Sequence, residues 1–587
     1  MKKLVLFLFL ASSVGLSIAQ EINPKNIQIA RDKWGVPHIF GKTDAEVAYG
    51  LAWAHSEDDF ATIQTSYLAG KGMLGLLKGK QGAQIDYVVQ LFRAKELVEA
   101  RYEKDISPQY KAVLLGYAQG FNAYAKAHKK DVLVPELFPV TPKDMLAFSV
   151  LQLAISSGAD QALKAIFDGK VATLDFLKPG GSNAFAFNSA KTIDGSVYLA
   201  INAHQPLEGP VAFYEAQLCS EEGWNILGGL FPGGPLIFHG VTPNLAWAHT
   251  VNFQDKIDFY QLQTDNDHPG QYQVDGERLT LEKSKIKLNI KGIPFSVGKM
   301  AYRSIYGPTV KTPKGQYFSI RLPSLMDAGA LQQWYAMNRS TNFAEFKAAL
   351  NQNHLPMFNI MYADKSDNIF YISNGKMPYR NAKYNWASTL PGNTRETLWE
   401  KFKPLDALPQ HLNPAAGYLF NTNHSPFMAT AVNENLNPAN YDKYDGYETY
   451  HNNRSQRAKD LIDTYDKIGW EDLKRIKFDR QLPAKILYPY GLDASVLFTL
   501  EATKYPALAT IIKGIQQWDH VTNIESVGAL YYNIAYYGAS KVRHTASKDP
   551  LTESEAVELT QYVHDFLMKH YGRLDVTLGE FQRLKRG

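Results

Sequence analysis

The chain of 587 residues changes its apolar periodicity at Gly181, and this change limits the possible folds more than any other feature of the sequence. Before Gly181, apolar residues recur at helical spacing behind capping residues at Thr43, Ser107 and Thr141. After it come short strand-like segments, among them NAFAFN, SVYLAIN, VAFYEAQL, LAWAHTVNF, YFSIRL and FNIMYADKSDNIFYIS. From about Asn452 the pattern is helical again. This order predicts an α+β fold in which helices cover the sheets.

The N-terminus has the composition of a secretory signal peptide. Residues 1–19, MKKLVLFLFLASSVGLSIA, contain two lysines, an apolar run and a small-residue ending. The apolar run is too short to span a bilayer, and no later segment approaches about 18 uninterrupted apolar residues. No cysteine lies near the predicted cleavage point, and the sole cysteine, Cys219, has no partner for an intrachain disulfide. We therefore expect a periplasmic or secreted protein without a membrane anchor.

Charge and ligand patterns exclude several classes of function. The net charge is only +4, with lysines and arginines dispersed, so nothing predicts a nucleic acid partner. The sequence has no H-E-x-x-H pattern and no cysteine pair to bind a catalytic zinc. Residues 70–75 spell G-x-G-x-x-G, but they follow a predicted helix rather than a strand, which argues against a dinucleotide site. A small molecule is the expected partner.

The segment KPGGSNAFAFNSAKTIDGSVYLAIN brings polar residues to the start of a strand. It contains two strand patterns around Asp194-Gly195, a strong signal for a tight hairpin. Such a hairpin places residues 202–207 beside Ser182, with a register that can shift by one or two positions. Asn202, His204 and Gln205 are the polar residues delivered there.

A serine in this position can act as a nucleophile only if it has a base. The G-x-S-x-G pattern of α/β-hydrolases is absent. A serine that becomes a chain terminus can use its own α-amine, whose ordinary pKa is about 7.7 to 8.0. This requires cleavage between Gly181 and Ser182, and glycine tolerates the strained backbone that such cleavage needs. The alternative is that Gly-Gly-Ser is an ordinary loop.

Several segments in fixed order resemble one family. GGSNAFAF, NAHQP, LAWAHTVNFQDKIDFY, MYADKSDNIFYISNGKMPYR, GYLFNTNHSP and RSQRAKDLI, with RDKWGVPHIFGKTDAEVAYGLAWAHSEDDFATIQ before them, are similar to the penicillin acylase family of N-terminal-nucleophile hydrolases. The resemblance covers roughly residue 28 to the end. It implies a four-layer αββα core and a precursor that cuts itself into two chains, which stay together as a heterodimer. It also implies hydrolysis of the amide bond between an acyl group and an amine.

The resemblance also assigns site residues. Ser182 matches the nucleophile, and Gly181 would end the excised peptide. Val251 and Asn423 match the backbone and side-chain donors to the oxyanion. The remaining matches are His204, which stands where acyl-homoserine-lactone and lipopeptide acylases have a histidine, and Arg454, which matches an arginine that organises the site. Nearby alternatives remain open for two of these positions, namely Asn421 or His424 for Asn423, and Arg457 for Arg454.

A structural Ca²⁺ is a further implication of the resemblance, whereas no cofactor is implied for the chemistry. In penicillin G acylases a loop similar to VNFQDKIDFY holds Ca²⁺, and the matching residues here are Asp255, Ile257 and Asp258. Another carboxylate of that family has no clear counterpart, although Asp160 is close. The alternative is that both aspartates are solvated loop residues.

The implied organisation has four parts: a signal peptide (1–19), a helix-rich front chain (20–160), a spacer (161–181) and a second chain (182–587). Relatives run beyond the final LGEFQRLKRG, so we expect the second chain to be truncated. Leu, Phe and Pro in 205–215 and 230–251 favour an apolar acyl pocket, as in acyl-homoserine-lactone acylases. A penicillin acylase with aromatic preference is one alternative. An exported glycan- or peptide-binding protein, suggested by the 34 tyrosines, is another.

Overall fold

A computed structural model describes residues 21–168, 181–487, 493–542 and 550–584. The predicted signal peptide and residues 169–180 of the predicted spacer lie outside these ranges. The helices are α1 (Asp44–Gly70), α2 (Gly75–Phe92), α3 (Ala94–Asp105), α4 (Pro108–Ala127), α5 (Pro142–Ser156), α6 (Ala159–Phe167), α7 (Ala330–Arg339), α8 (Phe343–Leu350), α9 (Asn453–Asp463), α10 (Trp470–Lys477), α11 (Ala509–Gln516), α12 (Val527–Val542), α13 (Glu553–Tyr571) and α14 (Leu578–Phe581). Among the described residues, no helix is long and apolar enough to cross a membrane.

The strands alternate with loops mainly between residues 182 and 421. They are β1 (Gln28–Arg31), β2 (Pro37–Gly41), β3 (Ser182–Phe187), β4 (Tyr198–Ala203), β5 (Tyr214–Ser220), β6 (Asn225–Leu230), β7 (His239–Val241), β8 (Leu245–Thr250), β9 (Asp258–Leu262), β10 (Gln271–Val274), β11 (Glu277–Thr280), β12 (Glu282–Leu288), β13 (Val297–Ser304), β14 (Gly307–Lys311), β15 (Tyr317–Arg321), β16 (Asn359–Asp364), β17 (Ile369–Ser373), β18 (Leu390–Gly392), β19 (Gln410–Leu412) and β20 (Tyr418–Asn421). The α+β prediction is confirmed.

The front helices begin at the predicted caps. Thr43 and Thr141 form capping boxes at the starts of α1 and α5, and the Ser107 side chain accepts from a backbone N–H in the first turn of α4. These side chains satisfy N–H groups that a helix start leaves without partners. Helix α6 crosses the predicted boundary at 160/161 with Leu163 and Ile166 buried, so part of the predicted spacer is packed into the core.

Two sheets carry the front helix α1 and the helices α9 and α10. The larger has the order β1-β2-β5-β6-β7-β8-β16-β17-β19, and helix α1 packs on its β2 and β5 strands. The smaller has the order β20-β3-β4. A third sheet has the order β12-β13-β14-β15-β9-β18, and β10 and β11 form a separate two-stranded sheet. Helices α11–α14 enclose an apolar cluster of their own.

The alternation of small and aromatic residues along β3 sorts its two faces. Ala184 and Ala186 pack against residues of β8, β16 and β17 in the larger sheet. Phe185 and Phe187 pack on the opposite face against residues of α9 and α10. Because successive strand residues point to opposite faces, the alanines let the two sheets approach closely while the phenylalanines fill the space beneath the helices.

The connection between β3 and β4 differs from the predicted tight turn. The strands pair as predicted, with Ser182 opposite Ala203, but residues 188–197 form a longer loop. Thr192 pairs with Ile468 instead of with the opposite arm of the hairpin. The Asp-Gly pair therefore lies within a longer loop, because contacts to a distant segment replace local pairing.

Candidate active site at the start of strand β3

Ser182 is the first residue of β3 and is 3% exposed. The backbone N–H of His204, which follows β4, donates to the Gly181 carbonyl oxygen at 2.9 Å. The hairpin thus brings His204 beside the predicted cleavage point, as the sequence predicts. The five predicted site residues Ser182, His204, Val251, Asn423 and Arg454 come together here.

Asn423 connects the nucleophile to the end of β8. Its Oδ1 accepts from the Ser182 backbone N–H at 2.6 Å, and its Nδ2 donates to the Val251 carbonyl oxygen at 2.7 Å. Strand β20 pairs with β3, so the residues after β20 lie next to Ser182. Asn423 has φ of +62°, a left-handed conformation that asparagine adopts more readily than most residues. The backbone geometry therefore turns this amide toward the serine.

A buried hydrogen-bond network holds the backbone of Asn423 in place. The Asn421 Oδ1 accepts from the Asn423 backbone N–H at 2.9 Å and from the Thr250 hydroxyl at 2.6 Å. Asn359 Nδ2 also donates to Asn421 Oδ1 at 3.2 Å. Asn421 thus positions Asn423, whereas the Ser182 backbone N–H bonds to Asn423. Thr250 and Asn359 were missed by the sequence analysis, although both are polar residues at the ends of apolar strands.

Arg454 lies in the first turn of α9 and directs its guanidinium at the start of β3. Its Nη1 donates to the Ser182 carbonyl oxygen at 3.0 Å and to Asn183 Oδ1 at 2.6 Å. Its Nη2 donates to Asn423 Oδ1 at 2.9 Å. Burial lowers the pKa of Arg454 to about 10, so the group stays charged at neutral pH. The alternative Arg457 instead forms an ion pair with Asp479 at 2.9 Å.

Gly181 leaves no room for a side chain. A Cβ there would lie 2.9 Å from His204 Nδ1, 3.0 Å from Arg454 Nη2 and 3.1 Å from Asn423 Oδ1. Burial and the neighbouring Arg454 charge lower the pKa of His204, which favours a neutral imidazole. The peptide bond before Ser182 is thus surrounded by three polar side chains of the site.

The alternative His424 has a structural position. Its Nδ1 accepts from the Thr422 backbone N–H at 3.1 Å, and its Nε2 lies 2.9 Å from the Met428 carbonyl oxygen. Burial lowers the pKa of His424 to about 3. The imidazole is therefore neutral and bridges the two ends of its own loop.

The sequence between residues 26 and 570 matches the model of the family described as Penicillin amidase. The chain belongs to the penicillin amidase family. This match covers most of the chain and confirms the resemblance carried by the segments around Ser182, Val251 and Asn423. The motifs that resemble this family and the residues that meet around Ser182 therefore lie within the matched region.

Curated relatives of this penicillin amidase family member include acyl-homoserine lactone acylases and a penicillin G acylase. The acyl-homoserine lactone acylase PvdQ of Pseudomonas putida is 26% identical over 63% of this chain and 53% of its own length, so the chain spans about half of that relative. PvdQ of Pseudomonas syringae pv. syringae is 23% identical over 86% of this chain and 72% of its own length. Penicillin G acylase of Escherichia coli is 20% identical over 69% of this chain and 60% of its own length.

A solved penicillin G acylase has the same fold. The thermostable enzyme from Alcaligenes faecalis superposes with a TM-score of 0.51 and 18% sequence identity, covering 69% of this chain and 81% of that one. The fold comparison agrees with the mixed helices and sheets of this penicillin amidase family member.

An aromatic cluster lies in the segments predicted to form the acyl pocket. Phe238 is 4.8 Å from Phe231, 4.6 Å from His249 and 5.3 Å from Phe358 between ring centroids. Val251 packs partly buried against the same apolar core. Val251 therefore packs against an apolar core that also contains these aromatic rings.

The predicted calcium ligands do come together, but an arginine lies between them. Arg380 Nη2 is 3.0 Å from Asp258 Oδ2, 3.5 Å from Asp255 Oδ2 and 3.2 Å from the Asp255 carbonyl oxygen. Ile257 is buried nearby, while Asp160 is exposed and is not among the carboxylates that Arg380 contacts. The residues do not fit Ca²⁺, because the guanidinium fills the position between the carboxylates.

Proposed function

We propose that this chain is the precursor of an exported amidase that cleaves itself between Gly181 and Ser182. The product is a heterodimer whose second chain begins with Ser182, and it hydrolyses a linear amide between an apolar acyl group and an amine. The observation that carries the proposal is the Asn423 side chain, which accepts from the Ser182 backbone N–H and donates to the Val251 carbonyl oxygen. No cofactor takes part in the proposed chemistry.

Maturation begins with attack of the Ser182 hydroxyl oxygen on the Gly181 carbonyl carbon. The carbon–nitrogen bond breaks and the nitrogen takes up the proton released by the hydroxyl, which leaves an ester and a free Ser182 amine. Water then hydrolyses the ester and releases a Gly181 carboxylate. The absence of a side chain at Gly181 supports this step, because a Cβ there would lie within 3.1 Å of three site residues.

In turnover, the Ser182 amine takes the proton of its own hydroxyl while the oxygen attacks the substrate carbonyl carbon. The Val251 backbone N–H and Asn423 Nδ2 donate to the resulting oxyanion. The leaving amine receives the proton, and the acyl group remains as an ester on Ser182. Water, deprotonated by the Ser182 amine, then releases the carboxylic acid.

The charge of Arg454 supports the base role of the amine. Its guanidinium contacts the Ser182 carbonyl oxygen and Asn423 Oδ1. A nearby positive charge disfavours protonation of the amine and lowers its pKa. This keeps a larger fraction of the amine in its neutral, basic form at neutral pH. The packing of both faces of β3 supports a four-layer αββα core that holds these groups.

Acyl-homoserine lactones and other fatty-acyl amides are the proposed substrates. The names of the Pseudomonas relatives, the match at His204 and the apolar surroundings of Val251 support this class. The Escherichia coli relative and the aromatic rings around Phe238 favour a second candidate, a phenylacetylated penicillin. Comparison of kcat/KM for the two substrates separates the candidates. A preference above tenfold for the phenylacetyl substrate would reverse the order while leaving the reaction type unchanged.

Mass analysis of the purified, exported protein tests the proposal. We expect one chain that starts at Ser182 and another that starts near Gln20 and ends before Gly181. Ser182→Ala should give a single uncut chain. A wild-type protein that is folded, uncut and without amidase activity would instead support the binding-protein alternative.

A further inference from the structure

The Arg380 side chain contacts two segments that are distant from it in sequence, residues 255–258 and the segment near residue 444. Its side chain is 1% exposed and donates from Nη2 to both carboxylate oxygens of Asp258, at 3.1 and 3.0 Å. The same nitrogen donates to the Asp255 carbonyl oxygen at 3.2 Å, and Nη1 donates to the Tyr444 carbonyl oxygen at 2.5 Å. One cation therefore joins the loop before β9, the start of β9 and the segment near residue 444.

The segments around Arg380 also contact one another directly. The Asp255 backbone N–H donates to the Asp445 carbonyl oxygen at 2.8 Å. A Cβ at Gly446 would lie 2.8 Å from Asp255 Cβ. The Asp445 carboxylate forms an ion pair with Lys403 at 2.6 Å, and Trp399 Nε1 donates to Asp258 Oδ2 at 2.6 Å. The buried carboxylates here therefore bond to the side chains of Arg380, Lys403 and Trp399.

A metal ion and this guanidinium cannot share the position. Ca²⁺ takes six to eight oxygen ligands at about 2.3–2.6 Å. Both carboxylate oxygens of Asp258, Oδ2 of Asp255 and the Asp255 carbonyl oxygen lie within 3.5 Å of Arg380 Nη2, and the third carboxylate, Asp445, pairs with Lys403. Within the described ranges, no group of three or more His, Cys, Asp or Glu side chains is arranged to hold a metal ion.

We infer that Arg380 is a structural cation built into the chain, which takes the place of a metal ion and holds the loop of residues 251–257 to β9 and to residues 444–446. The loop begins with Val251, directly after β8, so the cation fixes the segment that carries a predicted oxyanion donor. This protein accordingly folds without a divalent cation. The inference concerns folding and is independent of the proposed catalytic function.

Thermal unfolding of the full chain, with metal content measured by mass spectrometry, tests this inference. The wild-type Tm should be the same in EDTA, Ca²⁺ or Mg²⁺, and no stoichiometric metal should copurify. Arg380→Ala should lower Tm by several degrees, because it leaves Asp258 buried without its counter-ion. Ca²⁺ at millimolar concentration should then restore part of the loss, because the vacated space exposes two carboxylates and a carbonyl oxygen to the ion.

Arg339→Ala is the matched control, since Arg339 forms an ion pair with the buried Asp44 away from this loop. It should lower Tm without any response to Ca²⁺. If Arg380→Ala does not fold, Arg380→Lys provides the same comparison with a charge retained, and its Tm should not respond to Ca²⁺. A wild-type Tm that rises in Ca²⁺ would overturn the inference, as would an Arg380→Ala protein that is as stable as wild type or that folds but ignores Ca²⁺.

Discussion

The backbone N–H of Ser182 donates a 2.6 Å hydrogen bond to Oδ1 of Asn423, which lies 241 residues further along the chain. The same side chain donates from Nδ2 to Val251. With its oxygen committed to Ser182 and Arg454, the amide can direct only its NH₂ group toward a reacting carbonyl. This orientation suits a donor to an oxyanion and motivates the first prediction.

Replacing Asn423 should impair the transition state more than substrate binding. Asn423→Gly keeps the left-handed backbone accessible, and we expect kcat to decrease by about 10²–10³ with little change in KM. Steady-state kinetics on the cut fraction measure this effect. Asn413→Gly, at another left-handed asparagine on the surface, is the control and should retain wild-type kcat. An Asn423→Gly enzyme with normal kcat would show that no oxyanion donor acts from this position.

Removing the charge of Arg454 should shift the pH dependence of catalysis. Without the cation the Ser182 amine becomes easier to protonate, so its pKa rises. We expect the acidic limb of the kcat/KM profile of Arg454→Met to move up by about one pH unit. Arg457→Met, one helical turn away and paired with Asp479, should leave the limb in place. An unshifted limb in Arg454→Met would assign the arginine a role in packing alone.

A side chain at residue 181 should slow self-cleavage. Gly181→Ala introduces a Cβ within 3.1 Å of three site residues, so the carbonyl must move away from the attacking hydroxyl. We expect uncut chain to accumulate, as measured by mass analysis over time after synthesis. Gly195→Ala is the control, because Gly195 has φ of +72° and open space around it. It should reduce stability slightly and cut at the normal rate, whereas equal cutting by both variants contradicts the steric argument.

Buried neutral histidines should make folding sensitive to acid. His55 is fully buried and stacks on Tyr214 at 3.8 Å, and burial lowers its pKa to about 3. The ordinary histidine pKa is about 6.5, so between pH 6.5 and 3 the unfolded chain binds a proton that the folded protein does not. The free energy of unfolding should therefore decrease as pH falls through this window, by about 1.4 kcal/mol per pH unit for each such histidine.

The variant His55→Phe isolates this contribution, because it keeps an aromatic ring against Tyr214. Urea unfolding of the uncut Ser182→Ala protein between pH 5 and 7 should show a pH slope smaller by about one proton. His239→Phe, at a second buried histidine whose pKa is lowered to about 4, should reduce the slope similarly. Unchanged slopes in both variants would mean that these rings are protonated in the folded protein.

Local features of the fold were readable from the sequence. The caps at Thr43, Ser107 and Thr141 depend on residues three positions away, and the faces of β3 follow from its alternating pattern. The family segments also indicated which residues converge, and the structure brings Ser182 and Asn423 together accordingly. Their catalytic roles remain predictions.

Contacts between segments that are distant in sequence could be identified only from the tertiary structure. The loop before β4 is longer than predicted because Thr192 pairs with Ile468. Similarly, Asp258 faces Arg380, 122 residues later, and no local pattern distinguishes a carboxylate that binds a metal from one that binds a guanidinium. Helix caps and strand faces depend on neighbours within a few residues, so they could be predicted without knowledge of the fold. The partner of a buried charge depends on sheet order and packing, which only the folded chain decided.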